Sequence, residues 1–269
     1  MAPAPPLSGA ALRDRPDASV GSSAPGDLPS RADLLAELAR AHEELDGFAY
    51  AVSHDLRAPL RAIDGFSQAL LDDCAGQLDD TARDHLERVR RGARRMTAFI
   101  DGLLELSRVG RAPIRLATVD LARLARRIAA DLERADPARR VRLTAPEGLT
   151  AIGDVALLTT LVAQLLGNAW KFTAGVEAAE VELGFAGDAD PTFWVRDNGA
   201  GFDPASAGRL FSPFQRMHPA EAFPGIGMGL AIVRRIVHRH GGRVWADAAV
   251  GRGATVSWTL PARAVVRTS

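Results

Sequence analysis

The chain has 269 residues, 33 basic and 33 acidic side chains, and 47% hydrophobic content. That length allows roughly two domains, and a net charge of zero excludes a protein held to nucleic acid or an anionic membrane by bulk electrostatics. A single cysteine, Cys74, excludes an intramolecular disulfide and suits a reducing, cytoplasmic setting. No uninterrupted apolar run reaches the roughly 18 residues that a spanning helix requires. The opening Met1-Ala2-Pro3-Ala4-Pro5-Pro6 lacks the basic flank of a signal peptide. The expectation is a chain with no direct membrane insertion and no nucleic-acid partner. Every basic residue but one is arginine, which a coding bias towards arginine and alanine explains; the exception is Lys171.

Residues 1–30 hold six of the sixteen prolines and read as a disordered leader. From Asp33 a helical pattern begins, with Leu34, Leu38, Leu45, Phe48, Val52, Leu56, Leu60, Ile63 and Leu70 at three- and four-residue steps. It breaks near Cys74-Ala75-Gly76-Gln77, and Asp80 or Thr81 can cap a second helix. That helix carries Leu86, Val89, Ala93, Met96, Ile100, Leu103 and Ser107 in a nearly heptad seam. At ~1.5 Å per residue the two helices are about 60 and 43 Å long. A hairpin of that length has no second layer to cover its stripe, so residues 31–108 are expected to pair with a second copy as a dimeric four-helix bundle. The arginines Arg88, Arg90, Arg91, Arg94 and Arg95 on the second helix fit an acidic partner or a solvated bundle face.

Gly110 and Pro113 mark residues 109–118 as a linker, which spans at most about 33–36 Å. Beyond it, over 119–262, helical and strand patterns alternate. Helices are expected over 121–134, 155–172 and 230–240, and strands over 141–143, 181–185, 192–196, 243–246 and 255–260. Such a mixture predicts an α/β sandwich. Residues 203–223, with Pro204, Pro213 and Pro219, exceed normal loop length and read as a lid or binding element. Residues 263–269 form a tail.

Three clusters in this second domain carry chemistry. Gln164, Asn168 and Lys171 share one face of the 155–172 helix, opposite an apolar stripe of Leu158, Leu161, Leu165, Ala169 and Phe172. Amide oxygens beside an ammonium suit Mg²⁺ and phosphate; a solvated helix face is the plain alternative. Asp197-Asn198-Gly199-Ala200-Gly201-Phe202 follows a strand, where a carboxylate can accept from an exocyclic amine and glycines let backbone approach a flat ring. Taken alone it is also a good turn. Gly225-Ile226-Gly227-Met228-Gly229-Leu230 precedes a helix, and its exposed N–H groups and helix amino terminus favour phosphate.

In this order, Asn168-Ala169-Trp170-Lys171-Phe172-Thr173, Asp197 to Phe202, Phe211-Ser212-Pro213-Phe214, Gly225 to Leu230 and Gly251-Arg252-Gly253-Ala254-Thr255 resemble the N, G1, F, G2 and terminal threonine motifs of a histidine-kinase ATP-binding domain. Upstream, Phe48-Ala49-Tyr50-Ala51-Val52-Ser53-His54-Asp55-Leu56-Arg57-Ala58-Pro59-Leu60 resembles the H-box of two-component sensor kinases, in a form seen among phytochrome-like kinases. The resemblance covers about residues 35–262. It implies a helical dimerisation and histidine-phosphotransfer hairpin followed by an α/β sandwich of the GHKL (Bergerat) type, with ATP and Mg²⁺ as cofactors.

The resemblance implies the following roles. His54 is the phosphoacceptor, Asn168 coordinates Mg²⁺, Gln164 stands where many relatives have a second Asn, and Lys171 reaches a phosphate. Asp197 takes the adenine amine, and Gly199, Gly201, Gly225, Gly227, Gly229 and Leu230 line the nucleotide. Thr255 supports adenine through water, and residues 203–224 form an ATP lid anchored by Phe211 and Phe214. Chemistry agrees at His54: it lies off the apolar stripe, its neutral imidazole is a competent nucleophile, and Asp55 can take the proton from one ring nitrogen while the other attacks. Pro59 lacks an N–H for the carbonyl of residue 55, so the helix should bend next to His54. Ala58 replaces the Thr or Asn of many relatives, which predicts weak phosphatase activity towards the partner.

The implied partners are a second copy, a response-regulator receiver on a separate protein, and an upstream sensory partner. The linker would let the ATP domain reach His54 of its own hairpin or its partner's. Competing readings are a GHKL-type ATPase, a pseudokinase scaffold without histidine phosphotransfer, and a pure dimerisation module.

Overall fold

The computed structural model describes residues 30–111, 113–187, 191–219 and 222–261. The expected leader, apart from Ser30, and the tail lie outside the described residues. The chain divides into a unit of residues 1–43 and a unit of residues 44–269. In the first, α1 (Arg31–Asp73) begins at a reciprocal cap. The Ser30 hydroxyl accepts from Asp33 N at 3.2 Å, and Asp33 Oδ2 accepts from Ser30 N at 3.1 Å. The helix therefore starts at Arg31, ahead of Asp33, the expected start of the helical pattern.

In the second unit, α1 continues through Pro59 to Asp73, and α2 runs from Asp80 to Arg111. The cap of α2 is Asp79, whose Oδ1 accepts from Ala82 N at 2.7 Å, one residue ahead of the expected Asp80 or Thr81. Leu60, Ala93 and Ile100 make the small buried core of the hairpin, with Leu104 against it. Arg57 and Asp101 pair across it at 2.7 Å, and Arg90 and Arg94 both reach Asp64. Arg88 pairs with Asp84, Arg91 pairs with Glu87, and Arg95 lies over the Phe99 ring. Arg88, Arg90, Arg91, Arg94 and Arg95 thus each have a partner within the hairpin, which favours the solvated bundle face over an acidic partner's contact. Alternate members of the α2 seam separate in the structure: Ala93 and Ile100 are buried, whereas Val89, Met96 and Leu103 stay exposed, as do Ile63, Phe66 and Leu70 of α1.

The remainder folds as β1 (Leu116–Asp120), α3 (Leu121–Ala135), β2 (Val141–Thr144), β3 (Thr150–Asp154), α4 (Val155–Phe172), β4 (Ala179–Ala186), β5 (Thr192–Asp197), α5 (Gly229–Arg239), β6 (Val244–Ala248) and β7 (Ala254–Thr259). Strands β2-β4-β5-β7-β6 form one sheet in that order, with β2 and β4 parallel and the other neighbours antiparallel; β1 and β3 pair separately. One core joins α3, α4 and α5 to a single face of the sheet. Leu158, Leu161 and Leu165 of α4 and Ile232 and Ile236 of α5 meet Val181, Leu183, Phe193, Val195 and Trp258. The opposite sheet face carries the ion pairs Arg142–Glu180 and Arg196–Glu182. This is the expected α/β sandwich. By length and composition α4 is apolar enough to cross a membrane, but its apolar residues are the centre of this core.

Two departures concern elements. The expected linker at 109–118 is mostly regular: α2 continues to Arg111 because Val109 is buried, and β1 starts at Leu116. Gly110, which reads as a helix breaker, stays helical where the Arg235 guanidinium lies 2.9 Å from where a Cβ would be. The short strands β1 and β3 are absent from the sequence expectation, because Ala151 and Gly153 fill the buried positions of β3 and show no β-branched alternation.

Both ends of α4 are held by side chains. Asp154 Oδ1 accepts from Ala156 N and Leu157 N, and Oδ2 accepts from Arg115 N. Asp154 N in turn donates to His240 Nε2 at 3.0 Å, so His240 carries its proton on Nδ1, 2.9 Å from Ile236 O. At the other end Arg139 donates to Trp170 O and Thr173 Oγ. His240→Ala leaves the Asp154 N–H and the Ile236 carbonyl without that partner and is expected to cost about 1–3 kcal/mol. Urea unfolding should show a lower midpoint with an unchanged slope.

Candidate functional site

A cavity of about 300 Å³ opens between α4, the end of β5, the glycine loop before α5, and α2. The residues reach it for local reasons. Asn168 and Lys171 lie one turn apart on α4, and Lys171 Nζ donates to Asn168 Oδ1 at 3.0 Å. Gln164, a turn earlier, converges on the same spot: at Gly229, a Cβ would lie 2.6 Å from Gln164 Oε1 and 3.6 Å from Asn168 Nδ2. Gly229 is the first residue of α5, whose N-cap Met228 makes no side-chain capping bond. Free N–H groups, the helix dipole and an ammonium therefore meet two amides at one end of the cavity.

Lys171 is half-buried, and its ammonium lies 4.2 Å from the Phe172 ring centroid. Burial and the Arg216 guanidinium together hold its pKa below the ordinary lysine value. Arg216 is a member of the site that sequence reasoning missed. It donates to the carbonyls of Gly225 at 2.6 Å, Phe223 at 2.7 Å and Pro219 at 3.2 Å, tying the loop to itself. Phe172, His218 and Phe223 pack in tilted and edge-to-face contacts with centroids 5.0–5.3 Å apart and help line the cavity. Nothing in the spacing of Arg216 or His218 marks them out, since their partners are loop carbonyls and the Phe172 and Phe223 rings, which no helix or strand period links to them. The expected irregular lid also holds a 3₁₀ turn, Pro204–Arg209, capped by Asp203.

At the other end stands Asp197. It shares parity along β5 with the buried Phe193 and Val195, so its carboxylate faces the helix side of the sheet. Gly199 N donates to Oδ1 at 2.9 Å, and the Ala254 N–H supplies a second bond. Burial nevertheless raises its pKa above the usual carboxylate value, and those two bonds only partly offset the effect. Gly201 sits at φ +60 with Ala249 O and Gly253 O against it, so a side chain there collides with backbone. Gly227, at φ +76, faces the Phe214–Gln215 backbone in the same way.

Of the expected binding residues, Gln164, Asn168, Lys171, Asp197, Gly201, Gly225, Gly227, Gly229 and Leu230 line this one cavity. Three do not. Gly199 stands behind Asp197 and holds its carboxylate. Phe214 lies outside, at positive φ, with its ring 5.3 Å from Phe99 of α2. Thr255 corrects the motif reading: β7 pairs Arg196 with Thr255 and Asp197 with Ala254, so Ala254 and Val256 face the cavity while Thr255 accepts from Arg196 on the far side. Of the phosphotransfer pair, Asp55 is exposed on α1, whereas the side chain of His54 lies outside the described residues.

Among the described residues no three His, Cys, Asp or Glu side chains form a metal cage. The amide oxygens of Asn168 and Gln164 are a donor set that fits Mg²⁺ sharing its shell with phosphate and water.

Fold and cavity define the class as a GHKL-type α/β sandwich preceded by a helical hairpin. Residues 44–112 match the His Kinase A (phospho-acceptor) domain, and residues 153–264 match the histidine kinase-, DNA gyrase B- and HSP90-like ATPase. The chain belongs to the histidine-kinase family, as a two-component sensor kinase core. It is 34% identical over 243 residues to cyanobacterial phytochrome B of Nostoc sp., covering 87% of this chain and 32% of that protein. It is 32% identical over 257 residues to the methanogenesis regulatory histidine kinase FilI of Methanothrix harundinacea, covering 95% and 28%. The chain thus spans about a third of the length of these curated relatives. Among solved structures, full-length ShkA in complex with AMPPNP superimposes with a TM-score of 0.58 at 26% identity, covering 83% of this chain and 47% of ShkA.

Proposed function

We propose that this chain autophosphorylates on His54 with Mg-ATP and passes the phosphoryl group to an aspartate on a separate receiver protein, working as a homodimer. The observation that carries the reading is the two-ended cavity. It has a backbone-supported carboxylate at one end and an uncapped helix amino terminus, two amides and the single lysine at the other. A purine amine and a polyphosphate fit those ends in one orientation only.

In this reading Asp197 accepts from the exocyclic amine of adenine. Gly201 and Gly227 keep backbone close to the nucleotide, and the α5 amino terminus and Lys171 draw the phosphates. Mg²⁺, when bound, would take the Asn168 oxygen, with Gln164 beside it, and neutralise phosphate charge. The unprotonated His54 nitrogen attacks the γ-phosphorus as the bond to the ADP oxygen breaks and its electron pair leaves with ADP. Asp55 takes the proton released by the other ring nitrogen. The exposed row of Val89, Met96 and Leu103 supports the dimer, because a second copy would cover it. Incubation with γ-labelled ATP tests the reading: acid-labile, base-stable label on the protein is the expected outcome. ATP turnover without label would instead favour the GHKL-type ATPase.

Lys171 sits where a compact ammonium fits between Asn168 and the Phe172 ring, with Arg216 already beside it. A planar guanidinium needs more room and different bonds. Lys171→Arg is expected to slow autophosphorylation about tenfold, on the order of 1.4 kcal/mol of barrier. Replacing Arg126 by Lys on the outer face of α3 should leave the rate unchanged.

A further inference from the structure

The C-terminal half of α2 is seated on the glycine loop and α5. At Gly102, a Cβ would lie 2.8 Å from both the Ile226 and Met228 side chains, and Gly110 faces Arg235. Arg239 donates to Val109 O. With Gly102 at Met228 and Gly110 at Arg235, α2 runs alongside α5, which places Glu105 beside the first turn of α5 on the same face as Gly102. Gly102 and Glu105 both form part of the wall of the cavity that holds Gln164, Asn168, Lys171 and Gly229. Glu105 is half-buried and has neither a hydrogen bond nor an ion pair with a described residue. An anionic side chain thus stands on the wall of the cavity that the uncapped helix amino terminus and the ammonium also line.

We propose that Glu105 opposes nucleotide phosphate. When α2 is seated, its carboxylate stands on the cavity wall near the end that takes the phosphates, and a triphosphate must bind against its charge. This rests on the ATP reading above. The seated helix and the bound nucleotide then oppose each other through charge, so movement of α2 sets nucleotide affinity. Contact between the phosphotransfer hairpin and the ATP domain thereby acts on nucleotide loading as well as on access to His54.

The test is equilibrium binding of ATP and of adenosine to the whole chain and to Glu105→Gln, in EDTA and in Mg²⁺. The expected result is about tenfold tighter ATP binding by Glu105→Gln in EDTA with adenosine unchanged, because only the phosphates meet the charge. Gly102→Val, whose side chain collides with Ile226 and Met228, should lift α2 and give the same gain with Glu105 intact. Equal ATP affinity in parent and Glu105→Gln overturns the proposal while leaving the kinase reading standing. Weaker binding of ATP by Glu105→Gln only with Mg²⁺ also overturns it, by making Glu105 a metal ligand. Failure of every protein to bind ATP or adenosine overturns the kinase reading itself and this inference with it.

Discussion

His54→Gln is expected to reduce protein-bound label from γ-labelled ATP to background, whereas His85→Gln retains it. Glutamine keeps the helix and the polar surface but offers no nitrogen lone pair of comparable nucleophilicity. His85 lies on the same hairpin, in α2, so it controls for any effect of removing a histidine from the bundle. ATP affinity should be the same in both variants, because the nucleotide cavity lies in the α/β sandwich and draws only Gly102 and Glu105 from the hairpin. The discriminating result is retention of label in His54→Gln, which would move the phosphoacceptor elsewhere.

Asp197→Asn is expected to weaken ATP and adenosine binding alike by about 100-fold, the worth of a charge-assisted hydrogen bond lost and a donor set against a donor. Stability should move the other way. Folding raises the pKa of Asp197 because burial penalises the ionised form, so the folded chain holds that proton more tightly than the unfolded chain. The ionised carboxylate therefore costs stability above its raised folded pKa, and the cost fades as pH falls through that value. Asparagine keeps an oxygen for the Gly199 and Ala254 N–H groups without the charge. The variant should match or exceed the parent in thermal stability at pH 7, and its advantage should shrink towards the ordinary carboxylate range. A variant less stable than the parent at pH 7 would show that the carboxylate is structural rather than held ready for a ligand.

Much of the site was legible in the residues themselves. Gln164, Asn168 and Lys171 share a helix face by spacing alone, and the glycines before α5 announce a loop that exposes N–H groups at a helix start. Asp197 was readable because a carboxylate followed by Asn-Gly-Ala-Gly at a strand end is both a turn and a place for a flat ring to approach. Thr255 was misread for a reason with physical content: in a strand, one residue of offset exchanges the two faces, and the β5–β7 register gives Ala254 to the cavity. Arg216 left no trace in the pattern because its three acceptors are backbone carbonyls. The supposed linker failed in a similar way. Gly110 carries no local sign that an arginine 125 positions onward, at Arg235, will lie against it.

Helix periodicity, the turn before α2, the polar stripe of α4 and the glycine clusters follow from interactions within a turn or two of chain, and those the residues dictate alone. Strand register, the seating of α2 on α5 and the place of Glu105 on the cavity wall depend on packing into one core of segments well separated along the chain, such as Asp197 with Ala254 and Gly102 with Met228. That packing is set by the shapes of both partners together, so neither segment announces it separately.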